Sequence, residues 1–422
     1  MAGWTADVFE NEYLADGASD VHAVVTVTCS DAAMGDTQAG DAGEVLIIDT
    51  SGSMREPPTK IQSARKAAAV AIDAIDEGAF FAVIAGRSHA FVLFPSDGQM
   101  ARADAESRAA AKTAVARLDG DGGTAIGSWL RAADALFEKT SATKRHAILL
   151  TDGRNGEDAR VFAGILDALQ GRFQCDCRGV GSDWDVSELR RVASALLGSV
   201  DLIADPSEMA DDFASMMATS MGRGIASASV RVWTPQGAQV LFVRQVAPTI
   251  EDLTAKRVAV SDLIGDYPTG AWGDESRDYH VAVRVPAKPV GAEQLAARVQ
   301  IVVQGQVQAS GLVRATWSDD ATLTTRINPA VAHYTGQAEL ASVIQDGLAA
   351  KAAGDEATAT VKLGRAAQLA AQTGNDEATA KLKKVVDIQD AETGTVRLKR
   401  AVDKLDEMAL DTSSTKTTRV KP

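Results

Sequence analysis

E-V-L-I-I-D-T-S-G-S-M, from Glu44 to Met54, decides the fold. Its four apolar residues, Val45 to Ile48, read as a strand buried on both faces, as parallel strands in α/β sheets are. The strand ends at Asp49, and Thr50, Ser51, Gly52 and Ser53 then offer oxygens and a permissive turn. Ligands of open α/β sheets sit beyond the carboxyl ends of the strands. One carboxylate and two hydroxyls at alternate positions on such a loop make half of a hard-oxygen site for a divalent cation.

Downstream of this loop, to about Arg223, strand and helix patterns alternate. Thr59 reads as a helix N-cap, with Ile61, Ala64, Ala68, Ile72 and Ile75 on one helical face. Phe80 to Ala85 and Ala90 to Phe94 read as strands, and Ala101 to Leu118 as a helix. G-D-G-G-T (Gly120 to Thr124) then precedes a helix carrying Ile126, Leu130, Ala133 and Phe137. H-A-I-L-L-T-D-G (His146 to Gly153) is another buried strand ending in an acid, and further strands follow near Phe173 to Val180 and Ser199 to Ile203. This alternation predicts a doubly wound, mostly parallel sheet over 41–225, covered by helices on both faces.

Outside that span the pattern changes. Val21, Ala23, Val25, Val27 and Cys29 alternate as a half-buried strand within residues 1–40, and Ser30 to Gly43 reads as a linker. Between 226 and 330, alternating runs such as Tyr279/Val281/Val283/Val285, Val299/Ile301/Val303 and Leu323/Thr325/Ile327 predict a β-sandwich. The N-terminal strand would find its sheet there, so the α/β domain is expected to be inserted into the β domain. Helix formers return over 331–411. D-E-A-T-A occurs at Asp355 to Ala359 and at Asp376 to Ala380, each copy behind a glycine, so that Gly ends one helix and Asp caps the next in a small bundle. The Thr-rich segment 412–422 lacks an apolar period and is expected to be disordered.

The 422 residues suffice for several domains, and 45% hydrophobic with 24% charged residues is ordinary for a globular protein. A net charge of −14 argues against nucleic-acid binding, which needs clustered Lys and Arg. The acidic N-terminal residues do not resemble a signal peptide, and no apolar run is long enough to insert in a membrane. Cys29, Cys175 and Cys177 form an odd, sparse set, read as reduced core thiols. Together these predict a cytoplasmic location.

A cation bound at Asp49, Ser51 and Ser53 needs further ligands. The α/β pattern brings two other loops to the same sheet edge, with Thr124 and with Asp152. Two carboxylates and three hydroxyls suit Mg²⁺, with Mn²⁺ as a substitute. D-T-S-G-S-M, then G-G-T, then L-L-T-D-G, in that order, resembles the von Willebrand factor A domain and its metal-ion-dependent adhesion site over roughly 42–224. The resemblance implies Asp49, Ser51, Ser53, Thr124 and Asp152 as the metal residues. It also implies an open coordination position filled by a partner's Asp or Glu, with binding and no turnover. A β-sandwich built from the flanks of the inserted domain is similar to intracellular bacterial members.

Other chemistry is weaker. The five histidines, His22, His89, His146, His280 and His333, are scattered and read as structural. No G-x-S-x-G elbow or Walker-type loop is present. Trp233, Trp272 and Trp317 read as packing residues. T-T-R-V (Thr417 to Val420) resembles the phosphothreonine-plus-three pattern read by forkhead-associated domains, marking Thr417 and Thr418 as phosphorylation candidates and the chain as a scaffold in serine/threonine kinase signalling. The alternatives are an adaptor subunit of an ATPase chaperone and, disfavoured because no base is visible, a metal-dependent hydrolase.

Overall fold

The computed structural model describes residues 3–32 and 42–419. The chain divides into two units, one comprising Asp31–Ser227 with Gly270–Asp274, the other Gly3–Ser30, Ala228–Thr269 and the chain from Glu275 onward. The first is therefore inserted in the second. Most of the expected linker, 33–41, lies outside the described residues; Ala42 and Gly43, read as its last members, already belong to the strand Ala42–Asp49.

In the inserted unit the strand order is Val200–Ile203, Gln174–Val180, Lys144–Thr151, Ala42–Asp49, Phe80–Gly86, Ala90–Phe94. Neighbours are parallel except for Ala90–Phe94, which runs antiparallel to Phe80–Gly86, as does the two-residue strand Ala101–Arg102. Ala42–Asp49 is buried along its whole length, as its apolar run requires. On one face, Leu46, Ile48, Ile148 and Leu150 pack with Ala64 and Ala68 of helix Thr59–Asp73 and with Phe213 and Met217 of helix Met209–Met221. On the other, Gly43 and Gly86 make room for Phe137 and Trp129 of helix Ile126–Phe137. The helix expected over Ala101 to Leu118 is shorter, Ala105–Val115. Asp104 starts it by accepting from the Ser107 N–H, and Ser107 bonds back to the Asp104 N–H.

The chain reaches Phe80–Gly86 on one side of Ala42–Asp49 and later Lys144–Thr151 on the other. The direction of winding thus reverses between Ala42–Asp49 and Lys144–Thr151, and such a reversal opens a crevice at the carboxyl ends of the two strands.

The second unit is a mostly antiparallel sandwich, with Tyr13–Leu14 parallel to Gln306–Trp317. Asp20–Ser30 lies between Gly3–Glu10 and Glu275–Arg284 in a five-stranded sheet continued by Gln239–Ala247 and Glu251–Asp252. In the six-stranded sheet Gly311 faces Val8 and Val25 of the first sheet, where a Cβ would lie 2.4 Å from Val8. Trp317 is buried and Trp233 half-buried; Trp272, also buried, falls in the segment Gly270–Asp274 that counts with the first unit. Leu323/Thr325/Ile327 is not a strand. Asp320 accepts from the Thr322 N–H and starts a short helix, Ala321–Thr324, before Asn328 caps the helix Pro329–Ala352.

The C-terminal helices Pro329–Ala352, Glu356–Gln372, Asp376–Val385 and Lys404–Ser413 share a core that includes Leu340, Ile344, Leu363, Leu382 and Leu410. A hairpin, Val386–Asp390 with Thr395–Leu398, interrupts what reads in sequence as helix throughout. Asp355 caps the first D-E-A-T-A copy, but Asn375, not Asp376, caps the second. The expected disorder of the tail is overturned as far as 419. Thr412 and Ser413 belong to the last helix, the Thr417 hydroxyl donates to the Val246 carbonyl at 2.5 Å, and Arg419 bonds Asp278. This tail needs no core of its own, because it uses carbonyls and a carboxylate of the sandwich. Residues 420–422 lie outside the described part.

Candidate metal centre

Asp49 ends its strand fully buried. Its Oδ1 accepts from the Ser51 N–H at 2.7 Å and its Oδ2 from the Thr151 hydroxyl at 2.5 Å. Burial pushes its carboxyl up to about 6, against the lowering effect of those bonds. The turn carries the Ser51 hydroxyl to 3.0 Å from that of Ser53, and Ser53 donates to Asp152 Oδ1 at 2.6 Å. Asp152 follows strand Lys144–Thr151 directly and is also fully buried.

Backbone bonds hold the G-D-G-G-T loop to the first. The Gly52 N–H donates to the Gly122 carbonyl at 3.0 Å, and the Asp121 N–H to the Thr50 carbonyl at 2.7 Å. The Thr124 carbonyl accepts from the Gly156 N–H at 2.7 Å, tying in the loop after Asp152. Gly153 shows where the three loops converge. A Cβ there would lie 3.0 Å from Thr124 Oγ1, 3.7 Å from Ser53 Oγ and 3.9 Å from Asp49 Oδ2. A hydrogen at this position, on the third loop, thus leaves a gap lined by oxygens from the other two. Two buried carboxylates and three hydroxyls around such a gap fit a hard divalent cation.

The structure thus brings Asp49, Ser51, Ser53, Thr124 and Asp152 to one edge of the sheet. Sequence reading missed two neighbours, Thr151 and Lys60. Lys60 Nζ lies 2.7 Å from Asp152 Oδ2, with 10% of the lysine side chain exposed. The available signal was a lysine on the helical stripe of Ala64, Ala67, Ala68 and Ala71, all buried. Thr417, half-buried, and Thr418, exposed, belong to the sandwich unit.

With this geometry, the comparisons with known proteins carry weight. The structure of a von Willebrand factor type A protein from Catenulispora acidiphila is 48% identical, covering 99% of this chain and 97% of that one, with a TM-score of 0.94. The chain belongs to the von Willebrand factor type A family. Residues 44–201 match the family's type A domain and residues 368–414 its type A C-terminal domain. The ArnB paralog VWA2 from Sulfolobus acidocaldarius shares the fold at 14% identity over 98% of each chain, with a TM-score of 0.60. Human COPII-coat protein Sec24c is similar in fold at 10% identity, covering 89% of this chain and 57% of that one, with a TM-score of 0.52. No curated protein matches the sequence.

Nearer the amino ends of the same strands lies a second charged cluster. His146 Nδ1 is 2.7 Å from Glu44 Oε2 and its Nε2 2.9 Å from Asp176 Oδ2. Ser220 donates to Glu44, and both the N–H and the hydroxyl of Ser199 donate to Asp176 at 2.7 Å. The cluster is buried and satisfied internally, as a structural role requires. His22 and His280, far apart in sequence, meet with ring nitrogens 3.2 Å apart, but no group of three or more His, Cys, Asp or Glu that could hold a metal occurs among the described residues. The three cysteines are buried and none forms a disulfide. No helix of the described residues is long and apolar enough to cross a membrane.

Proposed function

We propose that this chain is a non-enzymatic, Mg²⁺-dependent protein-interaction module. Asp49, Ser51, Ser53, Thr124 and Asp152 would hold the ion, directly or through water. A bound Mg²⁺, or Mn²⁺ in its place, supplies an open position to which a partner's Asp or Glu can bind. The chain's own residues do the rest. Thr151 and the Ser51 N–H fix the Asp49 carboxylate, and Ser53 orients Asp152. The observation that carries this reading is the approach of Asp49, Ser53 and Thr124 oxygens, from two loops, to Gly153 on the third, beside Asp152, which accepts from Ser53.

The test is retention of partners from lysate by wild type and Asp49→Ala, each with Mg²⁺ and with EDTA. Retention only by wild type with Mg²⁺ is expected, and equal retention in all four arms overturns the reading.

Thr417 and Thr418 belong to the same proposal as the sites at which a serine/threonine kinase and a forkhead-associated partner would engage the chain. Support comes from the sequence spacing and from the exposure of Thr418. The Thr417 hydroxyl is engaged with Val246, so its modification would require that contact to open. Phosphate taken up from a cognate kinase only outside 412–418, by mass spectrometry, removes this part.

A further inference from the structure

We infer that Lys60 is a built-in counter-ion that sets how weakly this site holds a divalent cation; the inference rests on the metal reading above. Lys60 is the second residue of helix Thr59–Asp73. The first turn of a helix presents backbone N–H groups and a partial positive charge, so a cation there is locally unfavourable. Its residue is also 8% exposed, and a buried ammonium needs an anion beside it. Two local penalties at one residue call for a specific compensation, and Asp152 supplies it at 2.7 Å.

The pairing changes what the site offers an ion. Asp152 Oδ2 is taken by the ammonium, and Oδ1 is shared with the Ser53 hydroxyl. Asp49 and Asp152 alone would present a formal charge of −2; with Lys60 the cluster presents −1. The three arginines of the neighbouring loops act elsewhere, Arg154 on Asp185 and Glu188. Arg55 pairs with exposed Asp119, and Arg87 bonds Thr50 and the Asp119 carbonyl and pairs with exposed Asp121. Lys60 therefore both fixes Asp152 in the absence of metal and opposes the ion electrostatically when it binds.

The test is titration of the full chain with Mn²⁺, read by electron paramagnetic resonance, for wild type, Lys60→Gln, Lys60→Arg and Asp49→Ala. Glutamine can still donate a hydrogen bond to Asp152 but carries no charge. We expect Lys60→Gln to bind Mn²⁺ about tenfold more tightly or better, and Lys60→Arg to stay within about threefold of wild type. Melting gives an independent readout: without metal Lys60→Gln melts below wild type, and Mg²⁺ raises its melting temperature by more. Affinity that is unchanged or weaker in Lys60→Gln overturns the inference, and Lys60→Met serves the same comparison should the glutamine variant misfold. If Asp49→Ala binds Mn²⁺ as wild type does, the metal reading itself fails. If Asp49→Ala loses binding while Lys60→Gln equals wild type, only the role of Lys60 fails.

Discussion

Gly153 is the residue on which the site's geometry turns. A methyl group there would press on Thr124 Oγ1 at 3.0 Å and intrude beside Ser53 and Asp49. Gly153→Ala is therefore expected to weaken Mn²⁺ binding about tenfold while costing about 1 kcal/mol of stability or less, measured by metal titration and urea unfolding. A variant that binds metal normally would mean that the gap is not where the ion sits. The five candidate ligands were legible in the sequence because each follows a recognisable strand or sits in a glycine-bracketed loop. Lys60 and Thr151 were not. Their roles depend on which side chain a buried carboxylate faces, fixed for Lys60 only when helix Thr59–Asp73 packs on the sheet and for Thr151 only when its strand pairs with Ala42–Asp49.

Among the elements, three adjacent strands share one electrostatic unit. Glu44, His146 and Asp176 lie on Ala42–Asp49, Lys144–Thr151 and Gln174–Val180, with Glu44 opposite His146 in the register. Burial opposes a charge on His146, but the two carboxylates outweigh it and raise its pKa from 6.5 to about 9. Burial likewise opposes the Asp176 carboxylate, and the bond from His146, with the charges of His146, Arg223 and Arg178, outweighs it, holding Asp176 well below the usual carboxylate range. The raised His146 stabilises the fold fully below pH 6.5 and loses that contribution as pH rises through about 9. The depressed Asp176 contributes above its ordinary 3.8 and loses that contribution as acid approaches its folded value. Stability by urea unfolding should thus fall on the order of 3 kcal/mol between pH 6.5 and 10, and His146→Gln should flatten that fall. An unchanged slope in the variant would assign the fall to other groups. Ala42–Asp49 and Lys144–Thr151 were readable because buried parallel strands carry near-continuous apolar runs, here Val45 to Ile48 and Ala147 to Leu150. The hairpin Val386–Asp390 with Thr395–Leu398 was not, since its strands are short and lie among helix formers.

For the molecule as a whole, the insertion of an α/β unit in a β-sandwich followed from one unpaired alternating strand near the N-terminus. The tail shows where composition misleads, because a segment poor in apolar residues can be ordered by the surface of another. Asp278, buried, receives Thr26, Tyr334 and Arg419, the last through Nη2 at 2.6 Å and Nε at 3.1 Å. Arg419 is 40% exposed at its side chain, so screening reduces the pair's worth. Arg419→Ala is expected to cost about 1 kcal/mol and to speed hydrogen exchange in strand Gln239–Ala247, where Val246 accepts from Thr417. Exchange unchanged throughout that strand would show that the tail does not brace the sheet.

The insertion also imposes a timetable on synthesis. His22 and His280, side by side in the finished sheet, are separated by 258 positions along the chain. A ribosome adding about 5–20 residues per second needs roughly 10–50 s to cover that distance. Throughout that interval Gly3–Glu10 is available to pair with Asp20–Ser30 but Glu275–Arg284 is not, which leaves the other edge of Asp20–Ser30 without its native partner. The inserted unit, whose strands pair among themselves, can fold while the older sheet is still incomplete.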